Sequence, residues 1–178
     1  AMQDSKDIEA ANRDVLINPA EFTVLPTGSQ VIRVGLRRKP TENELTYRVI
    51  LEQLPTTPTG DQTSKTSTNP QVKTLFRLRL PIYFTPQNIT AKVTAMLSRQ
   101  NDDLVLHFEN TGLRHQYLYN LKVSQGEQIQ ALPFKSVLGR ASYSYLLTGW
   151  GKLKSNDSVE IFYNDQEGQE FRFQVVIP

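Results

Sequence analysis

Val72, Thr74, Phe76, Leu78, Leu80 and Ile82 fall on one parity of the segment VKTLFRLRLPIYF. In an extended strand, side chains of one parity share a face, so this row has the pattern needed for recognition by strand addition. Backbone hydrogen bonds would supply affinity, and the alternate side chains would fill a partner's groove. Burying Phe76, Leu78, Leu80 and Ile82 would contribute on the order of 1.5 to 3 kcal/mol each before ordering costs. The same row also fits an ordinary core strand. The other parity carries Lys73, Arg77 and Arg79 beside Leu75, Pro81 and Tyr83. Proline has no N–H to donate, so Pro81 predicts a sheet edge or the end of pairing there. Arg77, Arg79 and, one strand earlier, Arg48 are candidates to hold a terminal carboxylate by charge-assisted hydrogen bonds. More often such clusters are solvated strand edges that discourage aggregation.

Other chemistries find less support. The chain has 178 residues and no cysteine, which excludes disulfides, thiolate nucleophiles and Cys-ligated metals. His107 and His115 flank the Asn110-Thr111-Gly112 turn and could meet across a hairpin, but two imidazoles make a weak metal site, so no metal or other cofactor is expected. No HExxH, GxSxG or GxxxxGK[ST] occurs, and the carboxylates of Asp102, Asp103, Asp165 and Glu167 sit in turn-forming segments, so no catalytic residues are assigned and the chain does not read as an enzyme. Trp150, between Gly149 and Gly151, fits either a stacking platform or a buried corner. A net charge of +2 gives no whole-chain field for nucleic acid. Nor does an apolar run reach the roughly 18 residues of a membrane helix, or a charged-then-apolar leader precede the first residues.

The elements that must position the apolar row are strands. Val15 to Ile17 is a short apolar strand stopped by Asn18-Pro19, Glu21 to Leu25 follows before Pro26-Thr27-Gly28-Ser29, which reads as a hairpin turn, and Gln30 to Arg37 and Leu45 to Leu51 alternate apolar and polar residues. Residues 55 to 71 are a polar Pro/Thr/Ser/Gly/Asn run, read as a mobile loop. From about Gln87, seven short strands follow with turn signals between them: Thr90 to Leu97, Leu104 to Asn110, Tyr117 to Ser124, Gln128 to Ala131, Ser142 to Leu146, Ser158 to Asn164 and Glu170 to Ile177. That is the strand count of a complete immunoglobulin-like sandwich, whereas the region before residue 86 holds only four or five. The predicted fold is all-β, with two immunoglobulin-like β-sandwich domains over 1–86 and 87–178, the first incomplete.

The runs INPAEFTVLPTGSQVIRVGLR, NELTYRVILEQLP and LFRLRLPIYFTP, the last two separated by the polar loop, resemble the periplasmic chaperones of the chaperone–usher pilus pathway. The matching features are Pro19 to Arg33 with Thr27 inserted before Gly28, the acidic Glu44, the Glu52-Gln53-Leu54-Pro55 ending and Tyr83-Phe84-Thr85-Pro86. In the second half, the match is one of strand count and of LVLHFENTGLRHQYL. The resemblance implies a periplasmic protein that caps pilin subunits by lending them Val72 to Ile82, with those subunits and an outer-membrane usher as partners. It also implies a salt bridge between Arg33 and Glu44 that orients the domains. Two departures stand out: strands that open the family's first domain have no counterpart here, and Pro81 occupies the position of the family's anchoring Lys. An incomplete first sheet predicts pairing with a second copy or with the lead-in segment. The competing reading is an adhesin or carbohydrate-binding sandwich that uses Trp150, the tyrosines and loop carboxylates.

Overall fold

The computed structural model describes residues 13–55, 74–101 and 103–178, and those residues form strands and turns without a helix. Two compact units emerge, Ala1–Thr41 and Glu42–Pro178. The expected boundary at 86/87 falls inside the second, between its second and third strands in chain order. In the first unit, β1 (Val15–Asn18) pairs antiparallel with β2 (Arg33–Leu36), Val15 opposite Leu36. The turn at Pro26–Ser29 forms, with the Gly28 N–H donating to the Leu25 carbonyl at 2.9 Å and Thr27 at φ 63°. It does not join two strands, however. Residues 21–25 remain outside any ladder, bracketed by Pro19 and Pro26, neither of which has a donor to give.

The second unit opens with a two-stranded ribbon, β3 (Leu45–Glu52) and β4 (Arg77–Phe84), in register from Leu45 opposite Phe84 to Glu52 opposite Arg77. Most of the polar loop, and Val72 with it, lies outside the described residues.

Eight strands then build a sandwich: β5 (Val93–Gln100), β6 (Asp103–Asn110), β7 (Gln116–Gln125), β8 (Gln128–Ala131), β9 (Lys135–Val137), β10 (Ala141–Leu147), β11 (Ser158–Asn164) and β12 (Glu170–Val176). One sheet runs β10-β6-β5 and the other β12-β11-β7-β8, with β9 also on β7. Alternation explains the core between them. Leu104, Leu106 and Phe108 of β6 face Leu118, Leu121 and Val123 of β7, with Val159 and Ile161 of β11, and all are buried. Leu118 and Leu121 are three apart, which a regular strand would place on opposite faces. Asn120, at φ 53°, absorbs the extra residue where the β7–β11 register shifts, so both leucines point inward while Tyr117 and Tyr119 point out. The expected sequence pattern missed only β9, whose three residues are too few to show a period.

Candidate functional site

The ribbon separates its residues cleanly by face. Leu78, Leu80, Ile82 and Phe84 of β4 lie opposite Leu51, Val49, Tyr47 and Leu45, so one face of the two strands is entirely apolar. The other face holds Glu52, Ile50, Arg48 and Thr46 opposite Arg77, Arg79, Pro81 and Tyr83. Along the apolar row, exposure rises away from Tyr83 and Phe84: Ile82 is half-buried, while Leu80 is 48% exposed, Leu78 50% and Phe76 64%. Large apolar side chains in sequence register and open to solvent are what a monomeric protein rarely leaves without a use. Thr74 is exposed just before them. Among the described residues β4 pairs only with β3, which leaves its other edge as the free rim of the ribbon.

The base of the ribbon is fastened to the sandwich by a joint that the sequence did not reveal. Glu44, just before β3, accepts hydrogen bonds from the His115 backbone N–H (2.9 Å) and from the Thr85 hydroxyl (2.6 Å). His115 Nδ1 also sits 2.8 Å from the Glu44 carboxylate, which as an ionised acceptor puts the ring proton on Nδ1. Both side chains are nearly enclosed, at 4% exposure for Glu44 and 8% for His115. Burial alone would raise the Glu44 pKa, but the bonds from His115 and Thr85 outweigh it and hold it below the ordinary 4.5. Tyr83 of β4 stacks on the His115 ring at 3.7 Å between centroids, and its hydroxyl donates to Ser136 of β9 at 3.0 Å.

Local sequence explains why His115 arrives there. Asn110, fully buried at the end of β6, accepts from the Lys92 and Gly112 N–H groups and donates to the Arg114 and Val137 carbonyls. Gly112 is required in the loop so fixed, because a Cβ there would lie 2.6 Å from the Lys92 nitrogen and nearer still to the Thr90 carbonyl oxygen. From His115 the aromatic contacts continue through Tyr117 to Phe134 and Tyr119, the last two stacked and exposed on the outer face. Burial pushes the Tyr117 phenol up to about 12, helped by Tyr83, Tyr119 and Glu44 nearby, so it stays neutral. The cue in the sequence was a Glu, a Tyr and a His separated by tens of residues, which no local periodicity can bring together.

Other candidates lie as follows. Arg77 pairs with Glu52 at 2.7 Å, while Arg48 and Arg79 share its ribbon face and are engaged within the structure. Arg33 is an exposed residue of β2 in the first unit, and the carboxylate of Glu44 is occupied by His115 and Thr85. The two histidines do not meet across a hairpin. His107 instead lies across the β5-β6-β10 sheet between Ser98 Oγ and Ser144 Oγ, 2.7 Å from each, because its parity on β6 faces outward while His115 belongs to the following loop. Trp150 is 1% exposed and donates its indole N–H to Gln130, so it is a core residue and offers no platform. Among the described residues no group of three or more His, Asp or Glu side chains could hold a metal ion.

The profile of the family "Pili and flagellar-assembly chaperone, PapD N-terminal domain" matches residues 1–90, half of the chain. The chain belongs to that family. No curated protein matches at the sequence level. Solved chaperones share the fold: the Pseudomonas aeruginosa CupB2 chaperone superposes at a TM-score of 0.57 with 12% identity, covering 93% of this chain and 75% of that one. The YadV chaperone does so at 0.63 with 11% identity, covering 92% and 78%. The fold of this family is two immunoglobulin-like β domains, its members are chaperones of pilus assembly, and chaperones of this pathway are periplasmic.

Proposed function

We propose that this pilus chaperone works in the periplasm by capping pilin subunits, lending them the apolar row of β4 and the residues just before it. The observation that carries the proposal is the solvent exposure of Phe76, Leu78 and Leu80 on a strand that ends its sheet. A subunit whose own fold lacks a strand would add this one, gaining backbone hydrogen bonds along the rim and filling its groove with alternate side chains. Thr74, Phe76, Leu78, Leu80 and Ile82, with Val72 before them, form the docking row. Arg48, Arg77 and Arg79, on the opposite ribbon face, are the cations within reach of a carboxylate at the end of the incoming chain. No covalent step or cofactor is required, and the loaded chaperone would then deliver its subunit to an outer-membrane usher. The division into domains over 1–86 and 87–178 belongs to the same reading. In it the Glu44–His115–Tyr83 joint sets the ribbon against the sandwich.

The test is co-expression with a pilin encoded in the same gene cluster. The wild-type chain is expected to co-purify with the pilin, whereas Phe76→Asp and Leu78→Asp would each lose capture without loss of folding. Undiminished capture by the doubly charged variant would overturn strand lending.

A further inference from the structure

The ribbon's hydrogen bonding determines which β4 residues a partner strand can reach. The Gln53 N–H donates to the Phe76 carbonyl directly opposite it at 2.8 Å. In an antiparallel pair, a residue bonded to its opposite neighbour turns both backbone groups toward that strand, and the next residue turns both away. Phe76 accepts from the Gln53 N–H and donates its own N–H to the Gln53 side-chain oxygen, and in the same alternation Leu78, Leu80, Ile82 and Phe84 spend their backbone groups on β3, in register with Leu51, Val49, Tyr47 and Leu45. Arg77, Arg79, Pro81 and Tyr83 turn their backbone groups to the rim, and Leu75 would do so where an added strand prolongs the ladder. Proline is tolerated at position 81 because β3 asks nothing of its nitrogen. The consequence falls on the other side, where a row of N–H donors about 6.8 Å apart is broken at one place and ring carbons project where a partner carbonyl would sit.

Resting on the strand-lending reading above, we propose that Pro81 is a register stop for the bound subunit. The subunit's strand pairs with the rim groups of Leu75, Arg77 and Arg79 and ends before Pro81. The docking row is thereby narrowed at its far end: Thr74, Phe76, Leu78 and Leu80, the most exposed described part of it, enter the groove, and Ile82 stays with the chaperone. The half-burial of Ile82 agrees with that division. The same break keeps the rim from offering a second copy of this chain an unbroken ladder.

Amide hydrogen exchange on the purified complex with the gene-cluster pilin, compared with the free chain, tests the stop. The Leu75, Arg77 and Arg79 amides are expected to slow on the order of tenfold or more on complex formation, and Tyr83 to stay unchanged. In Pro81→Ala, the restored donor is expected to extend protection to the new amide at that position and to Tyr83. Slowing of Tyr83 in the wild-type complex, or no extension in the variant, overturns the register stop while leaving strand lending intact. A complex that forms with no slowing anywhere in 75–83 overturns strand lending itself, as does failure of any complex to form.

Discussion

Two parts of the second unit carry the same sequence pattern to opposite ends. β6 and β4 both alternate large apolar residues over eight positions, DLVLHFEN and RLRLPIYF. In β6, Leu104, Leu106 and Phe108 vanish into a core closed by the facing sheet; in β4, Leu78 and Leu80 stay half open on a two-stranded ribbon. Alternation decides which side chains share a face, while the number of neighbouring strands decides whether that face is sealed. The sandwich spends its apolar row on its own stability, and the ribbon leaves part of its row open to solvent.

The largest expected effect separates the two rows. Phe108→Ala should cost about 3–5 kcal/mol of unfolding free energy, as a large side chain is removed from a closed core. Leu78→Ala should stay within roughly 1 kcal/mol, because the side chain is half exposed, yet weaken pilin capture if strand lending holds. Chemical denaturation of both variants beside a capture assay checks the contrast, and equal destabilisation would erase it. Next comes the joint between the two parts. His115→Ala removes the imidazole from the enclosed Glu44 carboxylate and should cost about 1–3 kcal/mol, with faster amide exchange at the base of the ribbon than in β6.

The third effect is on pH dependence. Glu44 is held below its ordinary pKa of 4.5 by His115 and Thr85 despite its burial, so it binds a proton less readily folded than unfolded. Its contribution is complete above the unfolded value and is lost as the pH falls below 4.5 through the folded one. Glu44→Gln should flatten that part of the stability–pH curve, and a curve of unchanged slope would remove Glu44 from the joint. Smallest of all, Arg172→Ala breaks exposed pairs with Glu160 and Glu170 and should leave the melting temperature within experimental scatter.

Strand periodicity was legible in β3, β6, β7, β11 and β12, which lie where the pattern put them within a residue or two, whereas the run Gln30 to Arg37 shortens to β2 at Arg33–Leu36 and the strand expected over Thr90 to Leu97 lies three residues later as β5. Short β9 showed no period, and residues 21–25, with proline on both flanks, join no ladder. The apolar row of β4 was legible as a row. Its exposure was not, since a buried strand and an open one are written with the same letters. Glu44, Tyr83 and His115 were each visible, but their meeting depends on how a ribbon's base docks beside a loop that lies 71 residues from Glu44 in the chain and is held in place by Asn110 and Gly112.

The sequence alone determined the parity of every strand and the place where Pro81 removes a donor, because side-chain direction and hydrogen-bonding capacity are properties of the individual residue. The tertiary structure decided which parity is covered, which rim is left open and which charged group is enclosed, because each of these depends on what lies across the gap. Covering a face takes a second sheet, and sequence spacing does not say whether one is there.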